Sequence, residues 1–153
     1  MSASPRSGLS DDSLRLLGLD VGDRRIGVAV SDPTGSLASP VEVYYRRGPK
    51  QDIDHVASLL QEYEATGIVV GLPKNMNGSE GPQAEKTRDF AQALGDRGVS
   101  VSLWDERLST VEATRRMVEQ RHKRRGIQQR IDAEAAALIL QTYLDHVRLT
   151  ESR

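Results

Sequence analysis

Asp20 does not fit its surroundings. It lies between Leu19 and Val21 inside an apolar run, residues 14–21, where a buried strand carries hydrophobes. An ionised carboxylate there has to be paired, hydrogen-bonded or bound to a cation, because burying it alone is strongly unfavourable. Two other places along the chain offer acids. Asp105 and Glu106 follow an alternating run, and Asp132 opens the last helical segment. Carboxylates brought to one place repel each other unless a cation neutralises them. The chain has no Cys and three scattered His with no zinc spacing. A ligand set drawn from it is all oxygen, which suits Mg²⁺ or Mn²⁺. Such a site suits phosphodiester hydrolysis, in which one cation activates water and another stabilises the departing oxygen.

Convergence of these acids depends on the elements that carry them. Residues 14–21 and 26–31 are apolar runs flanking Gly22-Asp23-Arg24-Arg25, which reads as a β-hairpin with a four-residue connection. Strand alternation puts Leu16, Gly18 and Asp20 on one face, and Gly18 leaves room beside the carboxylate. Residues 40–45 alternate as a third antiparallel strand. Ile53, Val56, Leu59 and Leu60 give the 51–63 segment the spacing of an amphipathic helix, with His55 off the stripe and expected in solvent. The all-apolar run 67–73 reads as a buried parallel strand followed by a polar loop, residues 74–81. Pro82 opens a helix, residues 99–104 form a fifth strand, and Ser109 with Glu112 marks the start of another helix. The order is β-β-β-α-β-α-β-α-α, an α/β fold with a mixed five-stranded sheet, three antiparallel strands then parallel ones, flanked by helices on both faces.

Ligands in such sheets gather outside the carboxyl ends of parallel strands, where Asp105 and Glu106 lie and where Asp20 can lie if its strand is a neighbour. On the last helix, residues 131–147, Ile131, Ala135, Leu138, Ile139 and Tyr143 cluster on one side at 100° per residue. Asp132 falls inside that arc, and Glu134 points toward solvent. Each acid also has a plainer reading: Asp20 as a turn-bonding residue, Asp132 as a complement to the helix dipole. Alternation alone does not choose between Asp105 and Glu106.

Residues 115–130 carry seven Arg or Lys against one Glu. A charge run of this kind is either a solvated face or, beside a phosphodiesterase site, a phosphate-contacting element; Lys123, Arg124, Arg125 and Arg130 belong to it. Lys74, Asn75 and Asn77 sit in the loop at the strand edge, where they either bind phosphate or hold the loop together. Trp104 and Tyr143 read as core or site wall.

The 153 residues suit one domain. A net charge of −1, with 28% charged and 37% hydrophobic residues, is ordinary for a globular protein. No run approaches the roughly 18 apolar residues of a membrane helix, and residues 1–13 have no apolar signal core, so a cytoplasmic location is expected. Those 13 residues, rich in Ser, Gly and Asp, read as a disordered extension, residues 14–148 as the domain and 149–153 as a tail.

Leu19-Asp-Val-Gly22 with Arg25-Ile-Gly-Val-Ala-Val30, Val70-Gly-Leu-Pro-Lys-Asn-Met-Asn-Gly78, Asp105-Glu-Arg-Leu-Ser-Thr110 and Ile131-Asp-Ala-Glu-Ala-Ala136 resemble the YqgF/RuvX family across nearly the whole chain. The resemblance implies the RNase H-like fold shared with the RuvC resolvases. It also implies a nuclease, since members are described as Holliday junction resolvases and as nucleases of pre-16S rRNA maturation. Carried over by position, the catalytic and metal-binding acids are Asp20, Glu106 and Asp132, and Arg107 joins the nucleic-acid contacts. Branched DNA and precursor rRNA are the implied partners, and symmetric junction cleavage requires two sites and hence a homodimer. Two rivals are a non-catalytic nucleic-acid or ribosome-associated binder and an actin-like ATPase. The first has no use for a buried anionic cluster, and the second needs a second domain and a second phosphate loop for which this chain has no room.

Overall fold

The structure is a computed structural model that describes residues 15–108 and 128–151. Five strands form one sheet: β1 (Leu16–Val21), β2 (Arg25–Ser31), β3 (Ala38–Tyr45), β4 (Gly67–Leu72) and β5 (Val101–Asp105). Their spatial order is β3-β2-β1-β4-β5. The β1/β2 and β2/β3 pairs are antiparallel, while β4 runs parallel to both β1 and β5. Three helices are described, α1 (Pro49–Glu62), α2 (Pro82–Asp96) and α3 (Gln128–Glu151), with a short 3-10 turn at Glu106–Leu108. The helix expected from Ser109 and the basic residues Lys123, Arg124 and Arg125 lie outside the described residues, as does the side chain of Arg130.

The two faces of the sheet are built from different kinds of residue. On one, Leu17, Leu19, Ile26, Val28, Ile68 and Val70 pack against Ile53, Val56 and Leu59 of α1 and Phe90 and Leu94 of α2. Burying one such side chain contributes about 1.5–3 kcal/mol, and this layer is the main core. Both helices begin at a proline, whose fixed φ suits the first turn and whose missing N–H would have had no partner there.

The other face carries α3, and there the residues are small. Ala29 and Val69 of the sheet meet Ala136, Ile139, Leu140 and Leu144, with Trp104 at the margin. Gly18, Gly27 and Gly71 let the helix come close. A Cβ at Gly18 would stand 2.7 Å from the Leu140 Cβ, and one at Gly27 only 2.0 Å from the Asp132 backbone oxygen. The buried residues of α3 are Ile131, Ala133, Ala135, Ala136, Ile139, Leu140 and Leu144, with Leu138 and Tyr143 half-buried beside them. Their arc is turned slightly from the expected one, because those glycines admit the Asp132–Ala136–Leu140 row against the sheet. The helix starts three residues before the expected Ile131 and continues through Glu151, into the 149–153 segment.

The connection between β1 and β2 has three residues rather than four, since Arg25 already pairs with Tyr45 and its carbonyl accepts the Gly22 N–H at 2.9 Å. His55 is not in solvent: it is half-buried, stacked on Tyr44 with ring centroids 4.2 Å apart and within 2.6 Å of Glu42 Oε2.

Candidate active site

Pairing places the acids along one row of the sheet. Leu17, Leu19 and Val21 point into the main core, so alternation turns Asp20 toward the α3 side. Asp20 pairs directly with Gly27 on β2. The parallel pairing of β1 with β4 runs to Leu19↔Val70, and its next step sets Gly71 on the other side of Asp20. The middle acid thus has a residue without a side chain on each flank. Adjacent strands lie about 4.8 Å apart.

The other two acids occupy the space that the glycines leave. The backbone of Asp132 passes over Gly27, and a Cβ at Gly71 would stand 2.7 Å from Glu106 Oε2 and 2.6 Å from Ile139 Cδ1. Asp20 and Asp132 line the same open cleft of about 250 Å³, together with Gly22, Asp23, Arg24 and Arg25. Glu106 is 8% exposed and follows β5, two strands from β1 with β4 between. Among the described residues, no three His, Cys, Asp or Glu side chains are gathered tightly enough to hold a metal ion as they stand. Asp132 is instead held by Arg25, whose Nε donates to Oδ2 at 2.6 Å. The convergence is in backbone placement, with the carboxylates not drawn into a cage.

The structure also separates Glu106 from its neighbour. β5 extends through Asp105, one residue beyond the expected end, so alternation continues past Trp104 and turns Asp105 away from α3. Asp105 is there bound by Arg107, which donates from Nη2 at 2.8 Å and from its backbone N–H at 2.9 Å. The Arg107 guanidinium, opposed by burial, holds the Asp105 carboxyl below its usual range. Glu106 follows on the face of Trp104 and reaches back over Gly71.

The candidate phosphate contacts differ among themselves. Lys74 lies 3.9 Å from Glu80 and 4.0 Å from Asp105, beyond hydrogen-bond reach of either. Arg107 also donates to the Met76 carbonyl at 3.3 Å, tying the 74–81 loop to the end of β5. Asn75 and Asn77 form that loop: Asn75 Nδ2 donates to Ser79 Oγ at 2.8 Å, and Asn77 Oδ1 accepts from Ser79 N–H and Oγ. Glu134 is half-buried rather than solvent-facing, and it makes an interaction of its own.

Two groups escaped the reading of the sequence. Arg25 does so because its partner is 107 residues away. The other is Asp52, 1% exposed, which accepts from Tyr44 Oη, Arg46 Nε and the Arg47 and Gly48 N–H groups. Arg46 in turn donates from Nη1 to the Gly22 carbonyl at 2.8 Å and from its backbone N–H to the Arg24 carbonyl at 2.8 Å. The turn lining the cleft is therefore pinned from behind, while Gln83 Nε2 holds the Val21 carbonyl at 3.2 Å and Lys86 reaches Asp23 at 3.2 Å. Asp52 shares the apolar stripe of α1 with Val56 and Leu59, and an acid on a buried stripe is the signal that marks it.

Against known proteins, a family model described as RuvX, Holliday junction resolvase, matches residues 14–146. The chain belongs to the RuvX family. Membership places it among phosphodiester-hydrolysing nucleases. A relative from Halothermothrix orenii, named provisionally a pre-16S rRNA nuclease, is 50% identical over 137 residues, covering 87% of this chain and 96% of its own. One from Thermoanaerobacter pseudethanolicus with the same name is 46% identical, covering 86% and 96%. Among solved structures, T. thermophilus RuvC in complex with a Holliday junction substrate aligns with TM-score 0.55 and 17% identity over 89% of this chain and 96% of its own. The fowlpox virus Holliday junction resolvase aligns with TM-score 0.51 and 13% identity, over 86% and 99%. At such identities the likeness is one of fold, and it is the RuvC-like, RNase H-type fold expected from the sequence.

Proposed function

We propose that this RuvX-family chain is a divalent-cation-dependent endonuclease acting on structured nucleic acid, with Asp20, Glu106 and Asp132 as its reacting-site carboxylates. The observation that carries the reading is the glycine-flanked row: Asp20 between Gly27 and Gly71, with Asp132 crossing the first glycine and Glu106 overhanging the second. A row of small residues serves packing alone without acids above it. Acids placed over both gaps leave room for a ligand between them.

The donor set is oxygen only and fits a hard cation, Mg²⁺ or Mn²⁺. Once bound, such an ion supplies a polarised phosphoryl oxygen and a water of lowered pKa. The chain supplies position. Asp20 is fixed in the central strand, Asp132 on a helix locked against β2, and Glu106 is held in a mostly buried pocket against Ile139. Lys74 and Arg107 border the carboxyl end of the sheet as phosphate contacts, and the basic run of the sequence with Lys123, Arg124, Arg125 and Arg130 supplies further cations for phosphate. Asn75 acts through the loop it braces.

The test is cleavage of a four-way DNA junction, matched duplex DNA and a precursor 16S rRNA fragment, each with Mg²⁺, Mn²⁺ or chelator. Metal-dependent cutting of a structured substrate, lost in Asp20→Asn, is the expected result. Binding without cutting of any substrate under all metal conditions would favour the binding-module reading instead. A two-ended cut of the junction by a dimer, or one-ended trimming of the rRNA, distinguishes the substrates.

A further inference from the structure

The Arg25–Asp132 pair stands where the proposed cation would act. Arg25 is the first residue of β2, and its Nε lies 2.6 Å from Asp132 Oδ2. Neither group is sealed in the core: their side chains are 31% and 20% exposed, and both line the open cleft together with Asp20. A contact needed only to clip α3 to β2 has no reason to sit at the cleft wall, and the clip already exists in the backbone approach over Gly27. Asp132 shares the cleft with the carboxylates of Asp20 and Asp23, where a positive partner favours its charged form, and among the described residues the Arg25 guanidinium is paired with it.

We propose that Arg25 is an exchangeable counter-cation: it neutralises Asp132 in the metal-free protein, is displaced from that carboxylate when a divalent cation binds, and then contacts the substrate phosphate. The inference rests on the proposed metal site. The exchange is favourable at both ends, because the guanidinium leaves one oxyanion for another of matching geometry. It also brings Arg25 to the phosphate only when the site is loaded. No residue has to cross the fold for this, since the side chain already faces the cleft into which a phosphate would enter.

The opposite signs of two effects make the idea testable. In Arg25→Gln the competitor for Asp132 is gone, so the affinity for Mn²⁺ alone, measured by titration calorimetry without nucleic acid, should tighten about tenfold. Cleavage at saturating Mn²⁺ should nevertheless fall about a hundredfold, as when a donor to a developing oxyanion is lost. In chelator Arg25→Gln should melt below wild type, and saturating Mn²⁺ should close that gap. Arg25→Lys, which keeps a cation, should keep Mn²⁺ affinity near wild type and recover part of the cleavage. Asp20→Asn identifies the site-specific heat. A wild-type protein with no Asp20-dependent Mn²⁺ binding would overturn the metal site and this inference with it. Asp20-dependent binding whose affinity is unchanged or weaker in Arg25→Gln would overturn the exchange alone, leaving Arg25 a structural clip. Tightened binding with undiminished cleavage would equally overturn it.

Discussion

Gly71 gives the sharpest handle on the site, because the space it leaves is filled by a side-chain carboxylate. In Gly71→Ala the new Cβ would lie 2.7 Å from Glu106 Oε2 and 2.6 Å from Ile139 Cδ1. Ordinary contact begins near 3.4 Å, so each must retreat by roughly 0.7 Å. Both are the far ends of side chains and can yield. Overpacking of this kind costs about 1–3 kcal/mol, offset in part by the stiffer unfolded chain of alanine, so a net loss of about 1 kcal/mol is expected. Activity should suffer more. A misplacement near 1 Å at a catalytic group costs on the order of a hundredfold, which sets a loss of roughly 10- to 100-fold in single-turnover cleavage. The double variant Gly71→Ala with Ile139→Val removes the Cδ1 clash. It should regain stability in urea melts without regaining cleavage. Gly27→Ala is the contrast: its Cβ would meet the Asp132 carbonyl oxygen at 2.0 Å and carbon at 2.5 Å, backbone that cannot step aside, so a loss of about 3 kcal/mol or more is expected. Wild-type cleavage in Gly71→Ala would show that the position of Glu106 over β4 is not the one used in catalysis.

Asp20→Asn, Glu106→Gln and Asp132→Asn should each lower cleavage at least a hundredfold while changing nucleic-acid affinity much less, as gel-shift assays at matched salt would show; Glu134→Gln should stay within a few-fold of wild type. For Asp52, burial pushes the carboxyl up, but the bonds from Arg47 N–H, Arg46, Tyr44 and Gly48 N–H outweigh it and leave the group below its ordinary 3.8. Its stabilisation is therefore present above pH 3.8 and lost as pH falls through the lower folded value. Asp52→Asn should destabilise by about 3 kcal/mol at neutral pH and flatten the acid limb of a urea-midpoint profile. Replacing Lys123, Arg124 and Arg125 together with Ala should reduce the log–log salt slope of duplex binding by about 0.9 per lost phosphate contact. Turnover should recover at saturating substrate and low salt.

How much of this could be read from the chain depended on the range of the forces involved. Alternation and helical spacing are local, so five strands along the chain, and Asp20 on one face with Leu16 and Gly18, were legible. Asp132 was legible for the same reason, because a hundred degrees per residue places it on the buried arc. Glu106 was not separable from Asp105 by spacing; the extra strand residue and the Arg107 bond set the two on different sides. The Arg25–Asp132 contact spans 107 residues, and no periodicity encodes such a pair. His55 was misjudged because stripe geometry counts helix neighbours and takes no account of an edge strand, where Tyr44 and Glu42 receive it. Asn75 and Asn77 had two readings open, and the bonds to Ser79 show the loop-bracing one at work.

The unequal faces of the sheet explain why the site sits where it does. The α1 and α2 face is filled with Leu, Ile, Val and Phe, and the polar groups buried there, Asp52 and Thr87, belong to the helices rather than to the sheet. On the α3 face the sheet contributes Gly18, Gly27, Ala29 and Gly71, and the helix contributes Ala133, Ala135 and Ala136. Small residues bring backbone to backbone, and that closeness has two consequences. It fixes the helix by contact with main chain, which cannot rotate away, so Asp132 is carried at a defined height over β2. It also opens a slot along the row of Asp20, because the neighbours on either side have no side chains to fill it. A carboxylate in that slot is shielded on its flanks yet open toward the cleft, and the second and third acids arrive from a helix and a strand end that the same packing holds still. The contact that holds α3 to the sheet thus sets the geometry of the acids, and a change there cannot alter one without the other.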